Sequence, residues 1–166
     1  MKKSINRKYK IENLIKNNPI KMEIKDIPQI KEIYKSFWGT IDLFKNSEFK
    51  QVIKQNLSYE YKIDNEIIAF CLIEYPTNDN LAEIELLCVK KEYQGYHLGK
   101  SLLSFCINNC CNLNIKNFCL HVSSNNIPAI NLYKNQGFTT KNFIKDYYHD
   151  KDPNDNDAYF MILDMT

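Results

Sequence analysis

The sequence predicts a mixed α/β fold in which one central sheet of about six to seven strands is flanked by about four helices. Three observations lead there. Apolar strand-like runs at residues 58–63, 67–75 and 81–89 follow one another across short turns, as in an antiparallel meander. A helical run then separates residues 81–89 from another strand-like run at 117–122, and parallel neighbours need a crossover of this kind. After one more helix, two final strands at 138–148 and 158–163 close the chain. The order β-α-α-β-β-β-α-β-α-β-β implies a mixed sheet, antiparallel at one end and parallel at a crossover.

Each element has its own justification. Residues 1–18 are basic and polar, with a weak helical pattern at Ile11, Leu14 and Ile15, and read as an N-terminal extension outside the core. The domain proper is expected over residues 19–166. Alternation at Ile20, Met22 and Ile24 reads as a strand. Ile30, Ile33, Tyr34 and Phe37 have helical spacing within 27–38. A second helix is expected over 47–57, with Ser47 as N-cap. Asp64-Asn65 makes the tight turn between the first two meander strands. Leu98, Leu102, Phe105, Cys106 and Cys110 form the apolar stripe of a helix over 98–111. Asn126 or Ile127 opens the next helix, Pro128 sits in its first turn, and Gly137 ends it.

Composition narrows the function classes. The chain has 166 residues, 44% hydrophobic and 25% charged, and these values suit one soluble globular domain. A net charge of +2 is too small to predict nucleic-acid binding. No apolar run reaches the ~18 residues of a membrane span, and residues 1–10 lack the apolar core of a secretory signal. The six cysteines form no C-x-x-C pair and mostly sit in apolar runs, as in a reduced intracellular protein. His97, His121 and His149 are too scattered for a metal site, so no metal is expected.

The most informative segment is Tyr93-Gln94-Gly95-Tyr96-His97-Leu98-Gly99-Lys100-Ser101, between the strand at 81–89 and its following helix. A Gly-containing strand-to-helix turn gathers backbone N–H groups at the positive end of the helix dipole, which suits a phosphate or pyrophosphate. The spacing is neither that of a P-loop nor that of a dinucleotide-binding Rossmann loop.

The chain resembles the GNAT superfamily of acetyl-CoA-dependent N-acetyltransferases, whose fold has this element order. Gln94 to Gly99 matches the family's pyrophosphate loop, except that His97 stands at the inner glycine position. The run Leu120 to Phe138 fits the family's second motif through Leu120, Val122, Asn126, Ala129, Leu132, Tyr133, Gly137 and Phe138. The C-terminal Tyr147-Tyr148, followed by a polar loop and Asp157-Ala158-Tyr159-Phe160-Met161, resembles protein N-terminal acetyltransferases of the NatE and NatF types. The resemblance implies acetyl-CoA as co-substrate and a protein N-terminus or other amine as partner. It also implies a cytoplasmic or nuclear setting, and association with a larger N-terminal acetyltransferase complex is a further implication.

The resemblance also implies roles. Gln94, Gly95, Tyr96, His97, Leu98, Gly99 and Lys100 would hold the pyrophosphate. Leu87, Cys88 and Val89 would offer backbone groups to the pantetheine arm, and Asn126 would bond that arm or a water. Tyr133 would hydrogen-bond or protonate the departing thiolate; its alternative is core packing. His121 and Glu83 are the two candidate bases, the first suiting an α-amine and the second a lysine; a satisfied core histidine and a solvated strand face are the alternatives. Phe37, Glu85, Tyr147 and Tyr148 would line the substrate site, with Trp38 beside Phe37. If position 97 requires a positive φ, His97 strains the loop by about 1–3 kcal/mol. Lysine or polyamine acetylation and a non-catalytic acetyl-CoA-binding role remain as alternatives; acidic residues 150–157 could serve a polyamine.

Overall fold

The computed structural model describes residues 2–39, 45–75, 81–148 and 156–165. The order is α1 (Lys2–Lys16), β1 (Ile20–Lys21), α2 (Ile27–Trp38), α3 (Asn46–Lys54), β2 (Tyr59–Ile63), β3 (Glu66–Glu74), β4 (Leu81–Val89), α4 (Leu98–Asn112), β5 (Asn117–Ser123), α5 (Ile127–Lys134), β6 (Thr139–Ile144) and β7 (Ala158–Asp164). The expected mixed sheet is present, with seven strands in the order β1-β2-β3-β4-β5-β7-β6 and five helices. Among the described residues only β4 and β5 pair in parallel; every other neighbouring pair is antiparallel.

Local chemistry explains most boundaries. Asp64 and Asn65 both take positive φ, 52° and 66°, the requirement of a type I′ turn between β2 and β3. Asn126 caps α5, its side chain accepting from the Ala129 N–H at 3.2 Å. Three expectations change. The strand expected around Ile20–Ile24 shrinks to two residues, because Ile24–Asp26 turns into a short 3-10 segment. Helix α3 begins at Asn46 with Lys45 in the cap position, so Ser47 is not the cap. Strand β6 stops at Ile144, short of Tyr147 and Tyr148; Asp146, with φ 53°, turns the chain away from extended geometry.

Two apolar layers sandwich the sheet. Helices α1, α4 and α5 cover one face, with Ile11, Leu98, Leu102, Leu103, Cys106, Ile130 and Tyr133 in one cluster. Helices α2 and α3 cover the other, with Ile30, Ile33, Tyr34, Phe49, Val52 and Ile53. Ile11 is fully buried in the first cluster and Leu14 and Ile15 pack on it, so α1 contributes to the core that the sequence reading placed beyond it. Burying such a side chain stabilises the fold by about 1.5–3 kcal/mol.

Strand β4 changes faces along its length. Leu72 pairs with Leu86 but Ile73 with Ile84, leaving Glu85 as the extra residue of a β-bulge. Ahead of the bulge, Ala82 and Ile84 point into the α4/α5 layer; beyond it, Leu86 and Cys88 point into the α2/α3 layer. The parallel ladder to β5 covers only Leu81↔Asn117, Ala82↔Phe118 and Glu83↔Cys119. From Ile84 on β4 pairs with β3, and from Leu120 on β5 pairs with β7, so the sheet divides after Glu83.

A polar cluster lies on the α2/α3 face of β2, away from this division. Lys62 Nζ sits 2.5 Å from Glu60 Oε1 and 2.7 Å from Asp26 Oδ1. The Glu23 N–H donates to Asp26 Oδ2 at 2.8 Å. Burial is the main cause that pushes the Glu60 carboxyl up to about 7, with the Asp26 charge adding to it against Lys62.

Candidate active site

The division of the sheet leaves the far end of β4, the stretch expected to meet the pantetheine arm, without a β5 ladder. The Lys90 N–H donates to the Ile68 carbonyl at 2.9 Å, which directs residue 90 toward β3. In an antiparallel pair this direction alternates, so Leu87 and Val89 present their backbone groups toward the opening, while Cys88 faces its partner Phe70. Cys88 therefore differs from the expectation: its backbone belongs to the ladder and its buried thiol is pushed well above the usual range by desolvation. Gln94 reaches back across the turn, its side-chain N–H₂ donating to the Val89 carbonyl at 3.0 Å. That bond ties the loop to the strand end.

The loop itself is built on two left-handed residues. Gly95 has φ 80° and His97 has φ 62°, the latter in the cap position of α4. Position 97 thus takes the conformation that strains a non-glycine residue. The first helical hydrogen bond of α4 runs from the Ser101 N–H to the His97 carbonyl at 3.0 Å. The N–H groups of Leu98, Gly99 and Lys100 precede it and have no intrahelical acceptor. No acidic side chain stands in this first turn. Leu98 is buried, Gly99 and Tyr96 are half-buried, and Lys100 is exposed, so backbone donors and one cation converge at the turn. These features fit a pyrophosphate.

Tyr133 stands on the α4/α5 side of the opening. It is 7% exposed and packs edge-on to Phe138 with centroids 5.7 Å apart. Burial drives its phenol well above the ordinary value, and Cys71, Cys88 and Tyr148 add to the effect. A phenol weakened this far as an acid keeps its proton and can donate a hydrogen bond. Full transfer to a thiolate, whose conjugate thiol has a pKa near 8.5, is uphill.

The two base candidates meet on the other face. Their strand neighbours Ala82, Ile84, Leu120 and Val122 point into the α4/α5 cluster, so alternation turns Glu83 and His121 toward the α2/α3 side. His121 Nδ1 lies 3.0 Å from Glu83 Oε1. The Tyr147 ring stacks on the imidazole with centroids 4.4 Å apart and planes 10° apart. Phe160, the β7 partner of His121, holds it from another side at 5.0 Å and 37°. Tyr147 and Tyr148 touch each other edge-on at 4.8 Å and 88°. They follow the end of β6, so strand alternation does not separate their rings.

Backbone bonds fix this arrangement. The Tyr148 N–H donates to the Asn156 carbonyl, the Asp146 N–H to Asp157 Oδ1, and the Ser124 N–H to the Asp157 carbonyl, each at 2.9 Å. Asp157 so joins the β6–β7 connection to the turn after β5. The sequence pattern contains Asp157 and Phe160, but neither was assigned a role there; the pairing of Phe160 opposite His121 is the signal that identifies it.

Glu85 sits on the bulge. Burial first, then the charges of Glu83 and Glu74 and a hydrogen bond with Glu74, push its carboxyl up to about 8. Burial, Glu83 and Glu85 likewise raise the Tyr147 phenol, so the hairpin tyrosine and the carboxylates share one environment. Phe37 is half-buried on α2 and makes its ring contact with Trp38, 5.5 Å away; it shares the α2/α3 face with the histidine. Asn126 caps α5 through the Ala129 N–H, which is compatible with the role the resemblance implies for it. Residues 149–155 lie outside the described residues, so the acidic run has no structural account. Among the described residues no helix is long and apolar enough to cross a membrane.

Known proteins share this architecture. A ribosomal-protein-S18-alanine N-acetyltransferase from Escherichia coli superposes with a TM-score of 0.76 at 21% identity, covering 90% of this chain and 94% of its own. Arabidopsis thaliana Naa50, in complex with the bisubstrate analogue CoA-Ac-MVNAL, gives 0.77 at 21% identity, covering 87% and 96%. In sequence, a Bacillus subtilis (strain 168) protein named as a ribosomal protein bS18-alanine N-acetyltransferase is 29% identical over 142 residues, 84% of this chain and 90% of that protein. The acetyltransferase (GNAT) family model matches residues 27–138, from the start of α2 through the turn before α4 to the end of the second motif. The chain therefore belongs to the GNAT acetyltransferase family, whose members take their acetyl group from acetyl-CoA.

Proposed function

We propose that this enzyme acetylates the α-amine of protein N-termini, as in the NatE and NatF types, with a preference for large apolar first residues. The observation that supports it is the Tyr147 ring lying flat on His121 at the mouth of the divided sheet. A chain end can pass beneath such a lid more readily than a lysine flanked by peptide on both sides. The names of the relatives bear on the α-amine: two are named alanine N-acetyltransferases, and Naa50 was captured with a ligand carrying the peptide MVNAL; the preference for a large first residue rests on this chain's own aromatic residues. Tyr147 and Phe160 about His121, with Phe37 and Trp38 on the same α2/α3 side of the sheet, favour an apolar side chain.

Acetyl-CoA supplies an activated thioester. Leu98, Gly99 and Lys100 would hold the pyrophosphate with their N–H groups, and Leu87 together with the Val89 N–H would pair with the pantetheine amides. His121 Nε2 takes the proton of the attacking amine, directly or through a water. An α-amine near pKa 8 costs on the order of 1 kcal/mol to deprotonate near neutrality, against about 4 for a lysine, so an imidazole is adequate. Tyr133 donates a hydrogen bond to sulfur as its charge develops.

A second reading, acetylation of a lysine or polyamine, draws on the carboxylates Glu74, Glu83 and Glu85. Burial holds Glu85 largely protonated near neutral pH and reduces the charge of that group. A thiol-release assay on peptides differing only in their first two residues, a blocked lysine peptide and spermidine decides between them. Met-Leu peptides should be turned over best. A higher kcat/KM for the blocked peptide or spermidine would overturn the reading, and faster turnover of Ser or Ala termini than Met would overturn the side-chain preference.

A further inference from the structure

We infer that Glu83 is not a second base but the positioning residue of His121, the two acting as one carboxylate–imidazole pair with Nε2 as the proton acceptor. The inference rests on the reading that an amine loses its proton at this site.

An ionised carboxylate only accepts hydrogen bonds. At 3.0 Å the Glu83 Oε1 contact therefore places the proton of the neutral ring on Nδ1 and leaves the Nε2 lone pair open. Among the described residues His121 Nε2 has no hydrogen-bond partner of its own. Tyr147 on one side and Phe160 on another prevent the ring from turning over and exchanging its nitrogens. When the amine nitrogen bonds the acyl carbon and the carbon–sulfur bond breaks, the amine proton passes to Nε2. The imidazolium so formed already faces the Glu83 carboxylate.

The backbone supports this division of labour. Glu83 is the last β4 residue paired on both sides, with Glu74 on β3 and Cys119 on β5. Its Cα is held by two ladders, as a positioning residue requires. Glu85, two residues on, lies on the bulge where that support ends. The other titratable groups facing the pair are Glu74, Glu85, Cys119 and Tyr147.

Two measurements test the pair. Nitrogen NMR of the imidazole in the substrate-free wild-type protein should show hydrogen on Nδ1 and a bare Nε2. This needs no variant and no known substrate. A double-mutant cycle with Glu83→Ala and His121→Ala, assayed on the amine turned over best, supplies the second. Glu83→Ala should cost about tenfold or more in kcat alone and about twofold or less in the His121→Ala background. The acid limb of kcat/KM should persist in Glu83→Ala and vanish in His121→Ala. Hydrogen on Nε2 in the wild-type protein, or an equal cost of Glu83→Ala in both backgrounds, would overturn the inference. Which amine is preferred does not enter either result, so a failure of the N-terminal reading is read separately.

Discussion

The phenol ring of Tyr147 and the imidazole of His121 lie face to face, 4.4 Å apart, although they come from a hairpin end and a strand separated by 26 positions in sequence. Tyr147→Ala should raise KM for N-terminal peptides and lower kcat/KM by about tenfold or more, while narrowing the gap to a blocked lysine peptide. Tyr147→Phe keeps the stack and should stay close to wild type. Steady-state kinetics on both peptides check this; an unchanged peptide ratio in Tyr147→Ala would remove the lid.

Tyr133→Phe should lower kcat by about 10- to 100-fold with little change in KM for acetyl-CoA, because the lost hydrogen bond matters mainly as charge develops on sulfur. Since burial pushes the Tyr133 phenol far above the working range, its ionisation should leave no basic limb in the rate profile. Activity within about twofold of wild type would return Tyr133 to packing.

The candidate phosphate loop gives a paired prediction. His97→Gly relieves a left-handed residue and should stabilise the protein by about 1 kcal/mol, raising the thermal midpoint while CoA affinity holds. Gly99→Pro removes one of the first-turn N–H groups while proline remains tolerated in a first helical turn, so CoA affinity should fall by about tenfold or more in a folded protein. Calorimetry and thermal melts read both. Unchanged CoA affinity in folded Gly99→Pro would exclude the loop as the anchor.

Glu60 predicts a pH dependence of stability. Its folded carboxyl is raised to about 7 from 4.5, so the native state binds the proton more tightly than the unfolded chain. The linked contribution is fully present below about pH 4.5 and is lost as pH rises through about 7. The stability difference between wild type and Glu60→Gln should shift by about 1–3 kcal/mol between pH 5 and 8, in favour of the variant at the higher pH. Urea titrations across that range decide it; a flat difference would mean that Lys62 keeps Glu60 ionised throughout.

Much of the frame was legible because local rules dictate it. Strand β4 has the bounds its apolar run predicts, and Asn126 and Pro128 mark the start of α5 as helix chemistry requires. The Gly-containing turn between β4 and α4 was readable from its glycines and its place between strand and helix. What escaped depends on contacts distant in sequence. No periodicity announces that Glu85 bulges, that Glu83 reaches His121, or that Phe160 lies opposite it. Tyr147 and Tyr148 look like strand residues until Asp146 takes a positive φ. Ile11 belongs to too weak a stripe to reveal its full burial in the α4/α5 layer.

The extra residue in β4 acts as a frameshift in three dimensions. Every side chain downstream of Glu85 changes allegiance between the two helical layers, and the backbone amides change direction with them. The ladder with β3 decides which β4 residue faces which layer, so deleting Glu85 would leave Ile84 and Leu86 as consecutive partners of Ile73 and Leu72 and keep every downstream face as it is. Drawing Glu85 into the regular alternation would instead make Leu87 and Val89 trade places with Leu86 and Cys88. One strand thus serves two helical layers because it counts one residue more than its partner.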